Sequence, residues 1–406
     1  MASTINFHIH TTHSDGGNTT AEVVAMLKTA GVAAFAITDH DKVDGNIDAA
    51  VFAKEYGLTH INGVELSCCF ADGEIGLNES WVVHILGFGI NLELMRGKLE
   101  ELEQKRHERL LELCSLLVAD GYDIDFKQIT QKGRIPDRKS ISKELIRKGY
   151  AANDDECYAK ILNIERYRPF ARNKPTIKEG IDIIHTCGGL AVWAHPFGLT
   201  RGGKKDLNQS QVSELLKNML VYGIDGMEVY YQNFTPEQIS WLNSFANRYE
   251  LYKTVGTDYH GLPVDLAVPP AYSELHRQDK IIFDIVAPDT GVLATLHKLT
   301  HMDNDEISYP DKNAYTYKTY HFKCKKCNWD GLGAETIDLT DVINFLGANC
   351  PECRELIEFI QFPSSRDVLR YGTLKDKRKY RKYMVEDERR TAKRGRFVTP
   401  PIRLQF

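Results

Sequence analysis

The feature that most restricts this chain is a rhythm. From the N-terminus to about residue 260, short apolar runs alternate with stretches of helical spacing. Runs at 5–9, 33–37, 59–65, 82–88, 190–194, 226–229 and 251–256 read as strands, with helices between most of them. Thr19-Thr20-Ala21-Glu22 and Thr176-Ile177-Lys178-Glu179 have the form of capping boxes, and Thr235-Pro236 offers an N-cap followed by Pro at the first helical position. Such alternation predicts an α/β fold built on a parallel sheet. Leu99, Leu102, Leu110, Leu113 and Leu117 recur by threes and fours apart from one break at Arg106, as on one long helix, and a second helix is expected near 141–148. With no convincing strand in it, the stretch from about 91 to 174 reads as a helical insertion overhanging one end of the sheet.

The 406 residues suffice for more than one domain, and 26% charged with 10% aromatic residues argues against wholesale disorder. No run approaches the roughly 18 apolar residues of a membrane helix, and the first residues show no basic stretch followed by an apolar one, so a cytoplasmic protein with no membrane partner is expected. The net charge of −5 conceals a split. Residues 366–403 hold fourteen Lys/Arg against five Asp/Glu, leaving thirty-seven against fifty-one elsewhere. An acidic body repels polyanions unless cations intervene, whereas a basic tail attracts them.

Candidate metal ligands gather at the predicted strand ends, where parallel sheets and α/β barrels place their sites. They are His8 and His10, Asp15, His40, Glu65, His84, His195, and Asp258 with His260. Residues two apart on a strand share a face, so His8 with His10, and Asp258 with His260, can converge on one ion. Imidazoles mixed with carboxylates suit Mn²⁺, Fe²⁺ or Zn²⁺ better than an all-oxygen cage. Nine ligands exceed the needs of one ion; two or three ions, with some carboxylates shared, fit phosphoryl transfer. Asp39 and Asp41 beside His40 are either orienting groups or polar turn residues.

The segments His8-Ile9-His10-Thr11-Thr12-His13-Ser14-Asp15-Gly16, Ile37-Thr38-Asp39-His40-Asp41, Gly63-Val64-Glu65-Leu66-Ser67, Ala194-His195-Pro196 and Gly256-Thr257-Asp258-Tyr259-His260 resemble the signatures of the polymerase and histidinol phosphatase (PHP) phosphoesterases, in the family's order. The resemblance implies a distorted (βα)7 barrel over residues 1–262 with a di- or trinuclear metal site at its mouth. It implies that His8, His10, Glu65 and Asp258 hold one ion, Glu65, His84 and His195 a second, and Asp15, His40 and His260 a third, with Glu65 bridging. His8, His10, Glu65, Asp258, Asp15 and His40 are the residues it makes catalytic. The branch it resembles most contains nucleoside 3′,5′-bisphosphate phosphatases and 5′-to-3′ RNA exonucleases. In that branch a Gly-Arg pair in the insertion binds phosphate; Gly133-Arg134 matches it, although Ile135-Pro136-Asp137 follows instead of Pro-His. Arg138 is the alternative clamp.

Beyond the barrel, residues 263–320 give no assignable pattern. Cys324-x2-Cys327 and Cys350-x2-Cys353 then have the spacing of a four-cysteine zinc ribbon over 321–360, with one structural Zn²⁺. The other five cysteines read as packing or surface residues. The basic tail, 361–406, interleaves Lys and Arg with Tyr380 and Tyr383, a composition suited to DNA or RNA contact. The expected function is hydrolysis of phosphoesters at nucleic-acid or nucleotide ends. The alternatives are a small-molecule phosphatase for a nucleoside 3′,5′-bisphosphate or histidinol phosphate, and a non-catalytic nucleic-acid-binding protein. Oligomeric state stays open.

Overall fold

The computed structural model describes residues 4–70, 81–129, 138–167, 170, 174–200, 204–261, 266, 317–339, 345–361, 368 and 372–394. Nine strands make one sheet: β1 (Thr4–Asn6), β2 (Val32–Ile37), β3 (Thr59–Cys69), β4 (Val82–Phe88), β5 (Leu190–Trp193), β6 (Gly198–Thr200), β7 (Lys204–Asp206), β8 (Gly226–Tyr231) and β9 (Tyr252–Gly256). Their spatial order is β1-β2-β3-β4-β5-β8-β9, with the β6-β7 hairpin set beside β4. The two ends of that order meet. Phe7 N–H donates to the Val255 carbonyl at 2.9 Å, and Ile9 bridges Tyr259 in parallel, so the seven strands form a nearly closed barrel.

The sheet is not wholly parallel, contrary to the expectation. β4 runs antiparallel to both β3 and β5, while β1-β2, β2-β3, β5-β8 and β8-β9 are parallel. Twelve residues join β3 to β4, the lower limit for a parallel crossover. This reversal brings the first residues of β4, rather than its last, to the barrel mouth.

Helices α1 (Thr20–Thr29) and α2 (Gly45–Tyr56) cover the first strands. The insertion follows as α3 (Leu92–Ala119), α4 (Phe126–Ile129), α5 (Arg138–Arg147) and α6 (Asp154–Cys157). Arg106 does not interrupt α3, which is continuous over 28 residues. Then come α7 (Ile177–Thr186), α8 (Gln209–Tyr222) and α9 (Pro236–Arg248). The three anticipated N-caps form: Thr19, Thr176 and Thr235 each accept from the backbone of the residue three on, whose side chain bonds back. The barrel core gathers Phe7, Phe88, Val192, Trp193, Val229 and Tyr230, all fully buried, each contributing about 1.5–3 kcal/mol of transfer free energy. The insertion has its own apolar cluster around Leu113, Leu117, Ile141, Leu145 and Leu162.

Two small antiparallel hairpins carry the paired cysteines: β10 (His321–Lys323) with β11 (Asp330–Leu332), and β12 (Phe345–Asn349) with β13 (Leu356–Gln361). Among the described residues, Tyr317, Phe322, Ala348 and Ile360 form their small buried apolar centre, so a cross-link has to supply much of the stability.

The C-terminal helix α10 (Leu374–Arg394) packs part of the basic tail against the barrel. Its arginines hold the helix to the barrel. Arg378 makes a two-pronged pair with buried Asp225, Nε to Oδ1 at 2.6 Å and Nη2 to Oδ2 at 2.8 Å. Arg381 is fully buried and donates to the carbonyls of Tyr249 (2.8 Å) and Glu250. Arg389 donates to Asn218 Oδ1 at 2.6 Å on α8, and Glu388 accepts from Arg248 at 2.5 Å on α9. Tyr380, expected to stack on bases, is buried.

Candidate metal centre

All nine predicted ligands meet at the barrel mouth, with Glu65 at the middle. His8 Nε2 lies 3.3 Å from both Glu65 Oε1 and Asp258 Oδ1. His10 Nε2 is 3.1 Å from Glu65 Oε2 and 3.2 Å from Asp258 Oδ1. His40 Nδ1 approaches Glu65 Oε2 to 3.0 Å, and His84 Nδ1 and His195 Nε2 approach Oε1 to 3.1 and 3.3 Å. Asp15, the most exposed of the set, stands 3.8 Å from His10 Nδ1, 3.8 Å from His40 Nε2 and 3.4 Å from His260 Nε2. His84 reaches the mouth because β4 is reversed: it is the third residue of its strand and pairs in register with Ser67, two residues past Glu65.

Three sets of ligand atoms close enough to share an ion overlap here: His8, His10, Glu65 and Asp258; His10, Asp15, His40 and His260; and His40, Glu65 and His84. Within each set all atoms lie within 4.8 Å of one another. The donor chemistry fits divalent cations for a second reason. His8 Nε2, both nitrogens of His10, His40 Nδ1 and both oxygens of Glu65 are buried and form no hydrogen bond. Buried polar atoms are rarely left so, and six of them facing one another demand a shared partner.

Charge is concentrated accordingly. Burial opposes a proton on His8, but Glu65, Glu228 and Asp258 outweigh it and raise its pKa well above the ordinary value. Burial likewise works against His10, which the adjacent carboxylates of Asp258 and Glu65 carry up to about 9. His40 goes the other way, to about 4, because burial prevails over the pull of Glu65. Hydrogen bonding to His260 lowers Asp15 to about 2.

A supporting layer fixes these groups. Asp39 accepts from Thr11 N–H (2.7 Å), Thr11 Oγ1 (2.8 Å) and Ser14 Oγ (2.6 Å), holding the loop that carries Asp15. That loop also needs Gly16, where a Cβ would lie 2.6 Å from the His10 backbone. Asp41 accepts from Ser67 N–H at 2.9 Å. Sequence reasoning missed two members of this layer. Tyr231 donates to Asp258 Oδ2 at 3.3 Å, and Glu228 meets His8 Nδ1 at 3.1 Å. The available signal for Glu228 was an acidic residue inside the apolar run of β8.

A cleft of about 370 Å³ opens between the barrel and α3; none of the nine ligands lines it, and Lys42, Arg96, Arg106 and Lys174 share it with Asp41, Asp44, Glu100 and Glu103. Gly133 and Arg134 lie outside the described residues. Arg138 is placed away from this cleft in function: it is buried in the insertion, where Nη2 donates to the Leu162 carbonyl at 2.6 Å and to Asn163 Oδ1 at 3.1 Å.

At the hairpins, Cys324, Cys327, Cys350 and Cys353 bring their sulfurs together, with Cys324–Cys353 and Cys327–Cys350 each 3.5 Å apart. A tetrahedron of sulfurs about 2.3 Å from a central zinc has edges near 3.8 Å, so the cluster suits a structural metal. The other five cysteines are buried, as expected of packing residues.

Comparison with known proteins agrees with this geometry. Residues 6–187 match the model of the PHP domain family. A 5′-3′ exoribonuclease of Haemophilus influenzae is 28% identical over 266 residues, spanning 64% of this chain and 91% of its own. A phosphoribosyl 1,2-cyclic phosphate 1,2-diphosphodiesterase of Eggerthella lenta is 28% identical, over 63% of this chain and 94% of its own. A 3′,5′-nucleoside bisphosphate phosphatase of Chromobacterium violaceum is 26% identical, over 63% and 87%. The barrel is thus similar in sequence to the PHP domain over residues 6–187.

Proposed function

We propose that this chain is a metal-dependent phosphoesterase acting on nucleic-acid or nucleotide ends, with two or three Mn²⁺, Fe²⁺ or Zn²⁺ ions held by the nine mouth ligands. The observation that carries the reading is the set of six buried, inward-facing atoms of His8, His10, His40 and Glu65 without hydrogen bonds. Such cations neutralise phosphoryl oxygens and make water nucleophilic near neutral pH. Glu65, reached by five histidines, would bridge two ions, Asp15 and His260 would hold the outer one, and His84 and His195 the one on the β4-β5 side. The cleft by Lys42, Arg106 and Lys174 would receive the part of the substrate beyond the scissile phosphate. One structural Zn²⁺ would complete the ribbon.

One observation favours a mononucleotide-sized substrate over a long polynucleotide. The arginines of α10 with the largest reach are committed to the barrel, and residues 321–361 hold four Lys/Arg against seven Asp/Glu. A cleft of about 370 Å³ is of small-molecule size. A panel of 5′-phosphorylated RNA, single-stranded DNA and a nucleoside 3′,5′-bisphosphate, each with Mn²⁺, separates the two readings. Faster turnover of the bisphosphate is expected; processive loss of nucleotides from RNA at a higher kcat/KM would reverse that preference.

A further inference from the structure

We infer that Glu228, a fully buried residue on β8 outside the ligand set, is a positioning residue that fixes both which nitrogen of His8 faces the cations and the backbone turn that aims His195. The inference rests on the reading of the mouth as a metal centre.

The two oxygens of Glu228 perform separate tasks. Oε1 lies 3.1 Å from His8 Nδ1, on the side of the ring away from Glu65 and Asp258. An ionised carboxylate only accepts, so the proton of a neutral His8 must sit on Nδ1, leaving the Nε2 lone pair toward Glu65 and Asp258. Oε2 accepts the backbone N–H of His195 at 2.8 Å. His195 has φ +30°, a left-handed conformation that is costly for a residue with a side chain. The bond from Glu228 stabilises that turn, and through it the approach of His195 Nε2 to Glu65 and to His84 Nδ1, the latter at 3.2 Å. One carboxylate thereby couples ligands carried by β1 and β5, two strands that are not neighbours in the sheet.

A third position shows that room has been kept for this contact. Gly256, at the end of β9, lies against the pair: a Cβ there would stand 2.3 Å from His8 Cβ and 2.4 Å from Glu228 Oε1. Its φ is not in the left-handed region, so glycine is required here for space alone.

The chemistry makes Gln a sharper test than Ala. In Glu228→Gln the amide oxygen can accept from His195 N–H, but the NH2 then faces His8 Nδ1. That nitrogen must now accept, and the proton moves to Nε2, where it points at the cation position. The opposite amide orientation sets two donors against each other at His195. Both fail, although size and shape are unchanged.

The test uses the full chain, stripped with chelator and reloaded with Zn²⁺ or Mn²⁺. Metal content and calorimetric affinity should fall by about 10- to 100-fold in Glu228→Gln, while the stripped variant keeps its circular dichroism and unfolds within a few degrees of stripped wild type. Wild-type affinity and stoichiometry in the Gln variant would overturn the inference, since a merely structural glutamate tolerates its isostere. Should the variant not fold, ¹⁵N-histidine spectra of zinc-loaded wild type decide: a proton on Nδ1 of His8 supports the assignment, and one on Nε2 refutes it. A wild-type chain that binds neither metal would instead defeat the metal-centre reading itself.

Discussion

Two buried carboxylates, at opposite ends of the same barrel, follow opposite rules. Asp225, just before β8 and at the end away from the mouth, has each oxygen engaged: Oδ1 by Arg378, and Oδ2 by Arg378, by His185 Nε2 at 2.9 Å and by Ala191 N–H at 3.0 Å. Glu65, equally buried at the mouth, is ringed by five histidines and forms no hydrogen bond. A folded chain tolerates a buried charge when its partners come from the chain itself. Where they are withheld, the partner must come from outside. The contrast separates a structural ion pair from a ligand site without reference to sequence similarity.

The largest effect that sharpens this contrast is expected at the mouth. Glu65→Ala should abolish cation-dependent phosphoester hydrolysis, a loss beyond the roughly 10- to 100-fold expected when only an outer hydrogen-bond partner is removed, with the fold retained because the atoms deleted are not bonded to the core. Turnover of an aryl phosphate measures it.

Next comes the underside. Arg378→Ala leaves Asp225 with His185 and the Ala191 N–H and should destabilise the chain by about 3–5 kcal/mol, read as a lower urea midpoint, while cation affinity in the folded fraction stays unchanged. A smaller effect follows from pH. Burial opposes ionisation of Asp225, and Arg378 with His185 overcome it, holding the carboxyl well below its usual range. A folded-state pKa below the unfolded value of about 3.9 means that this stabilisation is full above that pH and declines as pH falls through it. Urea midpoints should therefore drop below about pH 4 in wild type, and less so in Asp225→Asn. The smallest effect belongs to the cleft, where Lys174→Ala should raise KM roughly 3- to 10-fold with kcat nearly unchanged.

Much of this was legible in the sequence, for reasons that the exceptions expose. Apolar periodicity located all seven barrel strands, and Thr19, Thr176 and Thr235 marked helix starts, because caps and periodicity are local. Strand direction is not local. Nothing in Val82–Phe88 announces that it runs backward, which is what sets His84 at the mouth end of its strand. The β6-β7 hairpin, two strands of three residues each, is too short to show a period. Ligands were readable because His and Asp stood out at strand ends, whereas Glu228 lay hidden among apolar neighbours. The basic tail was legible only in part, since a charge count does not reveal that Arg378 and Arg381 face a buried carboxylate and two carbonyls. Their spacing with Val385 and Glu388, by threes and fours, was the overlooked sign of a docked helical face.

The most direct measurement is elemental analysis of the purified full chain paired with hydrolysis of a 5′-phosphorylated oligonucleotide and a nucleoside 3′,5′-bisphosphate, before and after chelation and after Mn²⁺ is restored. The account predicts two or three ions per chain beyond the zinc of the four cysteines, activity lost on chelation and regained with Mn²⁺. A chain carrying only the cysteine-bound ion and inert toward both substrates at every added cation would contradict it.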